Sequence, residues 1–303
     1  MRVLITGGSG FVGQRLCRRL IEVGHRVQVV SRDPKAAAGR LPAAVDISGS
    51  ALDFVDKPPA ALVNLAGEPI ADKRWSDDQK EKLIDSRVAA TRELSLLCEQ
   101  LAQTAKVPGV MVSGSAMGYY GDQGGGADAT PVTEETEPHD EFVHRLCRRW
   151  EEAAQGVKEH GVRLAILRIG LVLDEGGGVL KRMLPPFKMG LGGRLGSGEQ
   201  YMPWVHRDDL VEMIMTLLER GDLEGPFNGS APEPVTNAQF TQALGRHLHR
   251  PTLIPAPKLA LETALGEMSR LLLTGARMVP ARFTEQGFGF RYPTLDKALD
   301  AIL

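Results

Sequence analysis

Arg2-Val3-Leu4-Ile5-Thr6-Gly7-Gly8-Ser9-Gly10-Phe11-Val12-Gly13 is the stretch that decides the fold. Arg2 to Thr6 reads as a short buried strand. Phe11 to Val23 places apolar residues at 12, 16, 20 and 23, one face of a helix. Between them, glycines at 7, 10 and 13 sit in a strand-turn-helix context, which is the context a dinucleotide turn requires. Glycines there permit the tight turn and let free N–H groups and the helix dipole meet a pyrophosphate.

Working outward, Arg26 to Val30 and Ala61 to Ala66 read as further strands, as do Val110 to Ser113 and Arg163 to Ile169. Helical patterns fill residues 76–103 and 140–160. Such alternation predicts an α/β fold, a Rossmann-type doubly wound parallel sheet with helices on both faces. Pro226, Pro232 and Pro234 mark the expected exit from the main sheet. The expected division is a dinucleotide-binding core over 1–235, which includes a substrate loop at 176–206. A smaller, mostly helical lobe of two or three helices over 236–303 then covers the ligand cleft.

Composition excludes several alternatives. The 303 residues are 43% hydrophobic and 24% charged with a net charge of −2, an ordinary globular profile with no field to steer it toward nucleic acid or anionic membrane. No 18-residue apolar run spans a bilayer, and Thr6, Gly7 and Gly8 break the N-terminal apolar run too early for a signal peptide. Cys17, Cys98 and Cys147 are far apart, and the seven histidines show no metal-ligand spacing. The expectation is a cytoplasmic protein without metal, acting on a small molecule. Of 34 glycines, 18 fall in three windows, 7–13, 114–126 and 176–198, which marks those segments as functional loops.

Cofactor choice is read at the end of the second strand. There Val30 is followed by Ser31-Arg32-Asp33-Pro34, a hydroxyl and a guanidinium suited to a 2′-phosphate. Asp33 before Pro34 reads as a helix N-cap and first helical position instead of a ribose acceptor. NADP(H) is therefore expected over NAD(H).

Further motifs follow in order: Asn64-Leu65-Ala66-Gly67, Ser113-Gly114-Ser115-Ala116-Met117-Gly118-Tyr119-Tyr120-Gly121, Leu167-Arg168-Ile169-Gly170 and Trp204-Val205-His206-Arg207-Asp208-Asp209-Leu210. With them the chain resembles the extended short-chain dehydrogenase/reductases. The longer stretches NLAGEPIADKRW (64–75), SGSAMGYYGD (113–122), FVHRLCRRWEEAA (142–154) and GARMVPARFTEQGFGFRYPTLDKAL (275–299) make it similar to an atypical branch, the epimerase family proteins of unassigned substrate. The resemblance implies cofactor contacts at Gly7, Ser9, Gly10, Phe11, Val12 and Gly13, at Ser31 and Arg32, and at Leu65, Ala66 and Gly67. It adds Arg87, where the superfamily usually has Asn, and Val172. Superfamily dimers pair through the helices at 76–103 and 140–160, so a homodimer is implied.

One departure stands out. Superfamily chemistry uses Tyr-x-x-x-Lys, in which the lysine lowers the phenol pKa from about 10. The residues four beyond Tyr119, Tyr120, Tyr201 and Tyr292 are Gln123, Gly124, Val205 and Asp296, so the pair is missing. The expected slots, Phe142 with Leu146 or Val143 with Cys147, carry neither group. Three readings stay open. In the first, an oxidoreductase or epimerase uses Ser115 to hold a substrate oxygen and Tyr119 or Tyr120 as proton donor, with Glu68, Lys73 and His144 as helpers. In the second, the chain is a non-catalytic NADP(H)-binding or redox-sensing protein; in the third, it is a structural partner. Lys181, Arg182, Lys188, Arg194 and His206 suggest an anionic substrate, and Met183 to Phe187 an apolar wall.

Overall fold

In the computed structural model, which describes residues 1–303, β1 (Arg2–Thr6) lies inside a seven-stranded sheet, paired on both edges. Val3, Leu4 and Ile5 are fully buried because both faces of a parallel sheet are covered by helices. The chain continues through α1 (Phe11–Glu22), β2 (Arg26–Val30), α2 (Pro34–Ala38), β3 (Asp46–Ser48) and β4 (Ala61–Asn64). It then forms α3 (Asp77–Ala102), β5 (Val110–Ala116), α4 (Phe142–Ala154) and β6 (Arg163–Ile169). Strand order is Gly225–Gly229, β6, β5, β4, β1, β2, β3, with every neighbour parallel. The direction of winding reverses between β1 and β4, and in such sheets the carboxyl ends at the reversal form the ligand crevice.

Two apolar layers clamp the sheet. Leu16 and Leu20 of α1 join Leu210, Ile214 and Leu217 of the later helix Arg207–Glu219 on one face. Leu94, Leu97 and Leu101 of α3 join Ala154 of α4 on the other. Two strands depart from the sequence reading. Asp46–Ser48 is too short and polar to register, and Gly225–Gly229 contains Pro226, which the sequence reading places outside the sheet. That strand lies at the sheet edge, where a missing N–H is tolerated, and Arg282 donates to the Glu224 and Pro226 carbonyls (2.8 and 2.6 Å).

A third apolar cluster forms the lobe. It joins Leu180, Leu184 and Phe187 of the helix Leu180–Lys188 to Trp204 and to Phe240 and Leu244 of the helix Asn237–His247. Beyond residue 237 five helices form where two or three were expected, because Pro257, Gly266, Pro280 and Pro293 break the helical runs into short pieces. The chain then returns to the main sheet. Met278 packs with Tyr120 and Val132, and Phe283 joins the core under Phe227. The Asp209 carboxylate accepts from the Arg291 and Tyr292 amides (3.0 and 2.9 Å). No helix is long and apolar enough to cross a membrane.

Candidate functional site

The glycine turn after β1 is shaped by close backbone contact. Gly7 has φ +73°, and a Cβ there would lie 2.5 Å from the Leu65 carbonyl oxygen. At Gly13 a Cβ would lie 2.3 Å from the Gly7 oxygen, so only glycine lets α1 approach the strand. Gly10 caps α1 with no side-chain bond, and the first turn holds no acid, which leaves the amide end of the helix free for an anion. Ser9, Phe11 and Val12 are half-buried around this end. Phe11 is covered by a hairpin whose first strand, Leu171–Asp174, carries Val172; a Cβ on Gly177 would lie 2.5 Å from the ring. The hairpin thus brings Val172 toward the turn from the opposite side.

At the end of β2, Asp33 accepts from the Ala36 amide (3.0 Å) and Pro34 opens α2, which commits the acid to helix capping. Ser31 stays beside it, accepting from the Asp33 amide (3.3 Å). Arg32 is exposed with no carboxylate paired to it. Next to β1 on the other side, Leu65 donates its amide to Thr6 (3.0 Å), which fixes Leu65, Ala66 and Gly67 against the crevice. Arg87 of α3 supports them from below. It donates to the Glu68 carbonyl (3.0 Å) and to the Leu83 carbonyl (2.8 Å), and stands 5.2 Å from the Trp150 ring centre. A Cβ on Gly67 would lie 2.9 Å from its Cζ. Burial lowers the Arg87 pKa, and its Nε and the neighbouring Trp150 Nε1 have no partner.

The three candidate proton-handling residues surround one buried cation. Ser115 Oγ donates to Glu151 Oε1 (2.7 Å), and Glu151 accepts both Nε and Nη2 of Arg168 (3.0 Å each). Tyr119 is half-buried, with the Arg168 Cζ 3.4 Å from its ring centre and His144 packed edge-on. Tyr120 is fully buried; its hydroxyl donates to Asn228 Oδ1 (2.7 Å) and accepts from Arg168 Nη1 (3.0 Å). Burial pushes that phenol up to about 12 despite the nearby cation. Val143 packs where a Cβ on Gly118 would touch it, and Cys147 lies beside the Ala116 carbonyl. Burial raises the Cys147 thiol to about 12, so it keeps its proton near neutrality and cannot serve as a base. Of the helpers, Glu68 pairs with Lys73 (3.4 Å), which holds its carboxyl below the usual range, and His144 donates to the Tyr119 carbonyl (2.6 Å).

Glu151, Arg168, Asn228 and Glu134 escaped the sequence reading as site residues. One signal was there: Arg168 interrupts the apolar strand RLAILRI, and a charge in a doubly covered strand needs a buried partner. Glu134 accepts from the Asn228 amide (2.9 Å), while its Oε2 is buried without a partner. Burial raises its pKa above the usual 4.5. A carboxyl raised on folding contributes stability that is complete below its unfolded value and is lost as pH rises through the folded value. Glu134→Gln, neutral at every pH, is therefore expected to gain melting temperature relative to the wild type between pH 4.5 and 8. A constant gap across thermal melts over that range would contradict the shift.

The five basic groups of the substrate loop separate in space. Arg182 pairs with Asp72 and donates to the Ala71 carbonyl (2.7 Å), tying the lobe to the loop after β4. His206 is buried, stacked on Tyr292 (3.7 Å between ring centres), and its Nδ1 accepts from the Asp208 amide. Burial lowers its pKa. Lys181, Lys188 and Arg194 are exposed. Further bridges cross from lobe to core: Arg74 to the Thr263 carbonyl (2.9 Å), Lys80 to Glu267 (2.5 Å) and Arg270 to Glu141.

Comparison with known proteins places the chain in a family. Residues 3–228 match the NAD dependent epimerase/dehydratase family, and residues 256–302 match a domain of unknown function, DUF1731. The chain is 38% identical to the chloroplastic epimerase family protein SDR39U1 homolog of Arabidopsis thaliana, covering 100% of this chain and 87% of that protein. It is 37% identical to an epimerase family protein of Mycobacterium bovis, covering 98% and 96%. The crystal structure of human epimerase family protein SDR39U1 (isoform 2) with NADPH superposes with a TM-score of 0.86 at 32% identity, covering 100% and 99%. The chain is a member of the NAD dependent epimerase/dehydratase family.

Proposed function

We propose that the chain binds NADP(H) across the switch point between β1 and β4 and acts as an oxidoreductase or epimerase-like enzyme on a small molecule bearing a hydroxyl or carbonyl group. The observation that carries the cofactor reading is Arg32. It is an exposed cation without a carboxylate partner beside Ser31, while the acid that would mark NAD(H) binding, Asp33, is spent on a helix cap. The similar human protein crystallised with NADPH supports the same choice. The amide end of α1 would meet the pyrophosphate, Ser31 and Arg32 the 2′-phosphate, and Leu65 to Gly67 the adenosine side, with Arg87 beneath them. Phe11 and Val172 would close the crevice from the hairpin side.

When bound, NADP(H) supplies or accepts the hydride. The proton is the task of the chain itself. Of the candidates, Tyr119 has its hydroxyl outside any internal bond and its ring against the Arg168 guanidinium. Ser115, polarised by Glu151, would hold the substrate oxygen, and Tyr120, clamped between Asn228 and Arg168, would fix the position of Tyr119.

Arg32→Ala is expected to weaken NADPH binding by about 10- to 100-fold, the value of a charge-assisted contact to phosphate, and to leave NADH binding nearly unchanged. Fluorescence titration of the nicotinamide measures both, and equal losses would refute the assignment. A second reading, a non-catalytic NADP(H)-binding protein, is favoured by Val143 and Cys147 in the slots of the missing pair. Bound cofactor that never turns over with a broad panel of carbonyl and sugar-nucleotide substrates would select it.

A further inference from the structure

The whole-chain charge of −2 conceals a local imbalance on the lobe. Residues 176–198 contain four lysines or arginines and residues 248–261 contain two, and neither segment contains an aspartate or glutamate. The two run side by side. Arg250 Nε donates to the Lys188 carbonyl (3.0 Å), Ile254 to Gly192 (3.4 Å) and Ala256 to Arg194 (2.9 Å), and Leu195 and Ala256 form a parallel bridge. A Cβ on Gly193 would lie 1.9 Å from the Ile254 carbonyl oxygen, so glycine is required for this close pairing.

The five most exposed large apolar side chains of the molecule all lie on this ribbon or at its foot: Leu253 (83%), Leu259 (74%), Met189 (67%), Leu191 (54%) and Ile254 (51%). The helix Lys258–Leu265 that follows buries none of its residues. Around the apolar tip stand Lys188, Arg194 and Arg250, all exposed and none paired with a carboxylate. Apolar loop tips with an unneutralised basic rim are complementary to one surface in particular, a bilayer carrying anionic headgroups.

We propose that this two-loop tip docks the protein on an anionic lipid surface. Leu253, Ile254, Met189 and Leu191 enter the boundary between headgroups and acyl chains, and Lys188, Arg194 and Arg250 contact lipid phosphates. The inference stands apart from the cofactor reading, because no residue of the glycine turn takes part.

The test is flotation of the full chain with vesicles of phosphatidylcholine alone and of phosphatidylcholine mixed with phosphatidylglycerol. Co-flotation is expected only with the mixed vesicles, at low ionic strength, and is expected to fall as added salt shortens the range of the charges. Lys188→Glu, and separately Leu253→Asp combined with Ile254→Asp, should each reduce the bound fraction by about ten-fold or more. Thermal melts should stay at the wild-type value, because these side chains are exposed. Equal binding to both vesicle types, or variants that float like the wild type, would overturn the proposal. So would a wild type that sediments as a dimer, becomes monomeric in the Leu253/Ile254 variant and never floats, since a second copy of the chain would then be what covers the tip.

Discussion

Arg168→Ala is expected to destabilise the protein by about 3–5 kcal/mol, the cost of leaving a buried carboxylate without its cation. Arg168 and Glu151 are both buried and joined by two hydrogen bonds. The same guanidinium also donates to the Tyr120 hydroxyl and the Glu134 carbonyl. Its removal orphans Glu151 and loosens the loop that carries both tyrosines. The double variant Arg168→Met with Glu151→Leu should recover most of the loss, since apolar replacements remove the desolvated charges together. Urea unfolding of the three proteins measures this. A single variant within about 1 kcal/mol of the wild type would mean that Glu151 is hydrated in solution.

Gly13→Val is the second large effect. A Cβ at this position would lie 2.3 Å from the Gly7 oxygen, 2.6 Å from the Gly8 Cα and 2.7 Å from the Gly8 oxygen, all backbone atoms that cannot rotate away. Displacing α1 from β1 is expected to cost about 3 kcal/mol or more, the upper end for overpacked sites. NADPH binding should fall by about 100-fold or beyond, because the amides that would meet the pyrophosphate move with the helix. Gly49→Ala is the control, since a Cβ there meets nothing within 4 Å and the backbone is outside the left-handed region. Denaturation and cofactor titration of both variants decide it; a Gly13→Val protein with wild-type affinity would show that the turn does not hold the cofactor.

What could be read from sequence follows from how local each signal is. β1, the glycine turn and α1 are contiguous, with period and turn chemistry agreeing within twelve residues, and β2 and β6 have the spans read from sequence. The Asp33 cap was legible for the same reason: an acid before proline is a local device, and the structure shows the bond to the Ala36 amide. The polar cluster around Arg168 was not legible, because its members stand at positions 115, 120, 134, 151, 168 and 228 and meet only when β5, β6 and α4 pack. The missing Tyr-x-x-x-Lys pair was visible, but not that Cys147 lies one helical turn before Glu151, the carboxylate that takes the Ser115 proton in hydrogen bonding. The basic, apolar tip was not legible because its two halves are about fifty residues apart, and the basic groups of 176–198, read alone, suggest an anionic substrate.

The return of residues 276–292 to the main sheet bears on how the molecule comes into being. Phe283 fills the core under Phe227, Met278 closes over Tyr120, and Asp209 receives the Arg291 and Tyr292 amides. These residues follow every strand of the parallel sheet in chain order. A nascent chain that has already exposed every strand of the parallel sheet still lacks the side chains that seal the layer beside its edge strand. Folding to the native core is thus postponed until residues 276–292 have been made, and a product cut short before residue 276 keeps that apolar layer open to whatever chaperone or protease meets it first.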